Sequence, residues 1–85
     1  LIKIFPNPTQ DFLTVQSSDL NNISDVYLQN SLGQTIHVFS FENNDGWSKT
    51  LPLNDLNLVS GIYYLIIYDK NRKKYTEKFN FIESN

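Results

Sequence analysis

The strongest constraint on this chain is a two-residue period. Apolar and polar residues alternate along most of its length. The i, i+3, i+4 spacing of a helix never persists, and alanine, the best helix former, is absent. "LIKIF" (1–5) is stopped by Pro6. "DFLTVQS" (11–17) puts Leu13 and Val15 on one face, Phe12 and Thr14 on the other. "SDVYLQN" (24–30) turns Val26 and Leu28 inward. "QTIHVFSF" (34–41) returns after "SLGQ", where Gly33 suits a positive φ.

"WSKTLPL" (47–53) follows the turn "ENNDGW", and its Pro52 marks a sheet edge or the end of pairing. "NDLNLVSG" (54–61) is a connection. "IYYLIIYD" (62–69) is apolar on both faces, as a central covered strand requires. "DKNRK" (69–73) turns the chain. "KYTEKFNFI" (74–82) sets Tyr75, Phe79 and Phe81 against Lys74, Thr76, Lys78 and Asn80. Glu77 breaks that apolar phase and belongs at the sheet end or the rim. About seven short strands divided by turn signals, in 85 residues, predict an all-β domain. The expected architecture is an immunoglobulin-like antiparallel β-sandwich. A barrel comes second, because the strands differ in length and amphipathicity.

Residues 1–85 are expected to form a single domain with a thin core. The chain begins at Leu1 without a methionine, so it is read as a fragment of a larger protein. A net charge of −2 gives no electrostatic reason to bind nucleic acid. The charge is unevenly placed, however. Residues 1–69 carry two basic side chains against seven acidic ones, and residues 70–85 carry five basic against two acidic. A solvated turn with a lysine-guarded edge strand explains such a cluster. Lys73, Lys74 and Lys78 are the residues there best placed to meet a partner.

Chemistry is scarce. Without cysteine there is no disulfide framework and no thiolate metal site. No apolar stretch is long enough to span a bilayer as a helix. His37 reads as a lone exposed strand histidine, opposite in face to Ile36 and Val38, with no companions at zinc spacing. No serine sits in a nucleophile motif, and three glycines do not make a phosphate loop. "NNDG" (43–46) suits a hairpin turn better than a calcium loop, since the terminal bidentate acid is missing. Asn22-Ile23-Ser24 matches a glycosylation triplet, as do many unmodified sequences. Trp47 is expected to pack rather than to serve as a sugar platform. An enzyme is not expected, nor any cofactor or metal.

Four segments, in order, carry a family resemblance. "FPNPTQDFLTV" (5–15), "VYLQNSLGQTI" (26–36), "DLNLVSGIYYLII" (55–67) and "KKYTEKFNF" (73–81) resemble the opening, hairpin, central and closing motifs of the type A C-terminal sorting domain of the type IX (Por) secretion system of Bacteroidota. Asn30 stands where the family usually has Asp, and Phe5 replaces the commoner Tyr. Matching residues are Pro6, Asn7, Pro8, Gly33, Leu58, Gly61, Tyr63, Lys78 and Phe79. Pro6-Asn7-Pro8 reads as a rigid elbow, with Asn7 bonding to local backbone. Gly61 reads as permitting a close turn into the central strand. Tyr63, Leu65 and Ile67 should fill the core.

The resemblance implies an address label on an N-terminal cargo in the same precursor. Implied partners are the outer-membrane translocon, its shuttle barrel and a sortase-like cysteine peptidase that cuts ahead of the domain. The implied route crosses the periplasm and ends at the cell surface or outside the cell. The rival is a fibronectin-like or immunoglobulin-like carbohydrate-binding or adhesion module. Exposed edge strands also make self-association an expectation.

Overall fold

A computed structural model describes residues 2–41 and 46–83. The described residues form seven strands, β1 (Ile2–Phe5), β2 (Phe12–Ser17), β3 (Ile23–Asn30), β4 (Thr35–Phe39), β5 (Ser48–Pro52), β6 (Gly61–Asp69) and β7 (Lys74–Phe81). They make two antiparallel sheets, ordered β1-β2-β5 and β4-β3-β6-β7. The expected sandwich is therefore present, and the strand runs match the alternation that named them. The turn residues at 42–45 lie outside the described residues; Gly46, at the end of that turn, has φ +93°.

The core forms between the two inner faces. Leu13, Val15 and Leu51 come from one sheet, and Val26, Leu28, Leu65, Ile67 and Phe79 from the other. Phe79 is fully buried and stacks on Tyr63 at 6.0 Å between ring centroids. The two rings face each other because their residues are direct partners across β6 and β7. Removing an aromatic ring so enclosed costs about 3–5 kcal/mol. A short 3-10 turn, Leu20–Asn22, links β2 to β3 and buries Leu20 beneath the sandwich edge. The alternation gave no sign of it, because three residues are too few to show a helical period.

His37, Ile36, Val38 and Trp47 depart from expectation. His37 is half-buried rather than exposed: it pairs with Leu28 and lies edge-on to Phe39 at 4.7 Å. The inner face of β4 is the one with His37 and Phe39, and Ile36 and Val38 face solvent. A register shift between Leu28 and Gln29 leaves Ile36 unpaired, as a bulge does. Trp47 does not pack: it is 72 % exposed. It follows directly on the turn and precedes β5, an edge strand, so the sandwich ends before covering it. Ile66 is buried on the outer face, opposite Tyr27 and between Tyr64 and Tyr68, as expected of a strand covered on both faces. Glu77 sits half-buried opposite Leu65 on β7, an edge strand, and so on the rim as expected.

Candidate recognition surface

Strand pairing sorts the sequence-selected residues into two ends. Phe81 lies opposite Gly61 and bridges to Thr9; Asn30 lies opposite Tyr63. One end thus gathers the Pro6-Asn7-Pro8 elbow, the Gly33 hairpin, Leu58, Gly61 and Tyr63, with Phe79 beneath them. The other end holds the 69–74 turn, packed against Asn22 through the Lys70 N–H to Asn22 carbonyl bond of 2.8 Å. Lys73 and Lys74 are there. Lys78 stands between, opposite Tyr64 on the outer face of β7.

The elbow does more than turn the chain. Both its X–Pro bonds, Phe5–Pro6 and Asn7–Pro8, are cis. Asn7 does not bond local backbone: its Oδ1 accepts the Asn80 N–H at 2.9 Å. Next to it the Thr9 N–H donates to the Asn80 carbonyl at 3.0 Å, and the Ile82 N–H to the Thr9 carbonyl at 2.9 Å. Thr9 is buried, and its hydroxyl donates to the Phe12 carbonyl. Prolines offer no N–H, so Asn7 between them and Thr9 after them supply the polar atoms that cap the edge of β7. Beyond this cap, by the same alternation, the main-chain groups of Lys74, Thr76 and Lys78 point off the free edge. Among the described residues no backbone pairs with them.

The hairpin after β3 is organised by Asn30. Its Oδ1 accepts the N–H groups of Leu32 (2.9 Å) and Gln34 (3.0 Å), and its Nδ2 donates to Gln34 Oε1 at 2.7 Å. Gly33 takes φ +81°, as expected for this tight turn. The loop before β6 is pinned at two points. The Tyr63 hydroxyl donates to the Val59 carbonyl at 2.7 Å. Ser60 and Glu83 exchange bonds, Ser60 N–H to Glu83 Oε1 (3.1 Å) and Glu83 N–H to Ser60 Oγ (2.8 Å). Leu58 packs half-buried against the core. Gly61 corrects the sequence reading. Its φ is not positive, and a Cβ added to it meets nothing within 4 Å. No tight turn or close packing there requires glycine.

At the opposite end the basic turn is built on an acid. Asp69 is buried, and its Oδ1 accepts the N–H groups of Asn71 and Lys73, each at 2.9 Å. Arg72, at φ +66°, reaches Asp25 at 3.4 Å and lies over the Tyr68 ring at 5.1 Å. Lys73 lies over Tyr75 at 5.2 Å. The cluster is thus partly tied to its own surface. Asp69 escaped notice in the sequence because it reads equally well as a strand end and as a turn opener. Trp47 stands beside Lys3, Gln16 and Ser18, and no second ring stacks on it among the described residues.

Among the described residues, no group of three or more histidine, aspartate or glutamate side chains is placed to hold a metal. No helix of the described residues is long and apolar enough to cross a membrane. The site is a protein surface: small polar turns at one end, a basic turn at the other, joined by a β-sandwich.

The comparisons with known proteins agree with that class. The model of the secretion system C-terminal sorting domain family matches residues 3–82, so the chain belongs to that family. A relative, an endo-acting ulvan lyase of Formosa agariphila, is 32% identical over 78 residues, which are 91% of this chain and 14% of the lyase. The chain therefore spans about one-seventh of that relative. Among solved structures, PorZ of Porphyromonas gingivalis shares the fold. It is described as an essential surface component of the type-IX secretion system of that bacterium. The TM-score is 0.66 at 20% identity, covering 95% of this chain and 11% of PorZ.

Proposed function

We propose that this sorting domain routes an attached N-terminal cargo across the outer membrane through the type IX translocon. The domain acts as a folded address and has no catalytic role of its own. A shuttle barrel would receive it, and a sortase-like cysteine peptidase would cut ahead of residue 1. The cargo would then be anchored at the surface or released. The observation that carries this reading is the family match over nearly the whole chain. The lyase match supports it too, since there a domain of this size is a small part of a larger protein. Geometry adds a reason. Ile2 pairs with Ser17, at the end with the basic turn. A cargo joined ahead of residue 1 therefore leaves the opposite end, with its motif residues, clear of obstruction.

Deletion tests the proposal. In the native precursor, loss of this domain is expected to hold the cargo in the periplasm with its fold intact. Mass spectrometry of the surface or medium fraction from the intact precursor should find cargo without residues 1–85. Cargo exported equally well after deletion contradicts the proposal.

One observation favours the rival, a carbohydrate-binding module: Trp47 is exposed. A lone ring beside polar groups is a weak sugar site, because sugar platforms combine stacking with several convergent polar contacts.

A further inference from the structure

A cleft of about 460 Å³ opens at the motif-bearing end, between the hairpin after β3 and the loop before β6. Its aliphatic lining is left in solvent: Leu32 is 82 % exposed and Val59 66 % exposed, with Ile36 and Ile62 exposed beside them. Single exposed aliphatics need no explanation, but four around one hollow do. Leu32 and Val59 would each gain up to about 1.5–3 kcal/mol from full burial, and Ile36 and Ile62, already more than half buried, would gain less. Both walls are held by the polar bonds of Asn30, Tyr63 and Ser60 already described. The apolar groups are therefore presented by an ordered frame, which lowers the cost of fixing them on binding.

Gly61 lies in this cleft. With an ordinary φ and open space where its Cβ would be, it leaves bare main chain that a partner can approach closely. Among the described residues, no charged side chain lines the cleft itself, and the charges at this end of the sandwich have one sign. Residues 6–13, 29–36, 51–63 and 79–83 form this end; they contain Asp11, Asp55 and Glu83 and no lysine or arginine. The nearest cation along β7 is Lys78, one register step further in, opposite Tyr64.

We infer that this cleft docks a protein segment of the export machinery that bears a bulky apolar side chain next to a lysine or arginine. The inference rests on the sorting function proposed above. The apolar side chain fills the space between Leu32 and Val59, the segment passes over Gly61, and its cation faces Glu83, whose carboxylate meets the Ser60 N–H at the cleft wall. The basic turn at the opposite end is not the docking site.

The test uses a periplasmic reporter fused to residues 1–85 in a Bacteroidota host. Variants are Gly61→Leu, Val59→Lys, Leu32→Lys, Val59→Glu and a Lys73→Glu/Lys74→Glu control. The purified domains should melt together, since every altered side chain is exposed or faces open space. Gly61→Leu, Val59→Lys and Leu32→Lys should each cut surface reporter roughly tenfold, as loss of an anchor contact does. The control should export like the native domain, and Val59→Glu better than Val59→Lys. Native export from both lysine variants overturns the cleft while leaving the sorting function standing. Better export by Val59→Lys than by Val59→Glu overturns the cationic partner. Retention of the native fusion itself overturns the sorting function and the cleft with it. Should Gly61→Leu melt early, the two lysine variants decide.

Discussion

Asn7 and Asn80 lie 73 positions apart, and the side-chain oxygen of the first accepts the main-chain N–H of the second at 2.9 Å. That bond ties the start of the chain to the edge of its last strand. With the Thr9 bridge it fastens one sheet to the other outside the apolar core.

Asn7→Ala removes the acceptor and leaves the Asn80 N–H to water at an exposed site. The expected loss in urea denaturation is about 0.5–1.5 kcal/mol, within the range of a single net hydrogen bond. Asn7→Asp keeps the acceptor and should stay close to native. Equal stability of all three proteins would mean the bond contributes nothing.

Gly33 and Gly61 should respond oppositely to a methyl group. Gly33 has φ +81°, where a Cβ is strained, so Gly33→Ala is expected to cost about 1 kcal/mol. Gly61→Ala should be neutral or slightly stabilising, since its backbone is ordinary and the added methyl meets nothing. In a domain of this size about 1 kcal/mol shifts the melting temperature by roughly 4–8 °C, which a thermal melt resolves.

Much of the fold was legible because a strand needs only local alternation to declare itself. Leu13 and Val15, Val26 and Leu28, and Phe79 and Phe81 all went inward as their phase required. Alternation pairs residues on a face but does not say which face is covered. In β4 each face has an apolar candidate, Ile36 and Val38 or Phe39, and only the packing of Phe39 against Val26 decides. Trp47 was misread for a related reason: its environment depends on how far the sheet extends, which its neighbours in sequence do not encode.

The site was legible as a set of segments and not as a geometry. The elbow, the hairpin and the Gly61 loop were all visible in the sequence, but their gathering at one end follows from strand order. Asn7 appeared to serve its own turn because its partner is at the far end of the chain. Gly61 appeared to serve a tight turn because that is the commonest reason for glycine before a strand.

Asp69 holds the basic turn through two main-chain N–H groups. Asp69→Ala leaves both donors unpaired beside a buried position and should cost about 1–3 kcal/mol. Asp69→Asn keeps one acceptor oxygen and should cost less. Hydrogen exchange at Asn71 and Lys73 should speed up in the alanine variant. Unchanged exchange there would show that the turn holds without the carboxylate.

Tyr63 has a ring role and a hydroxyl role. Tyr63→Phe loses only the bond to the Val59 carbonyl, for about 0.5–1.5 kcal/mol. Tyr63→Ala also loses the stack on Phe79 and should cost about 3–5 kcal/mol. Equal losses in the two variants would mean the ring contributes nothing beyond its hydroxyl.

The most direct test of the sorting function is transfer to a foreign cargo. Residues 1–85, with native preceding linker, are fused to the C-terminus of a periplasmic reporter in a Bacteroidota host and in a strain lacking the type IX translocon. The account predicts reporter at the surface or in the medium only where the translocon is present. Folded reporter held in the periplasm of both strains would contradict it.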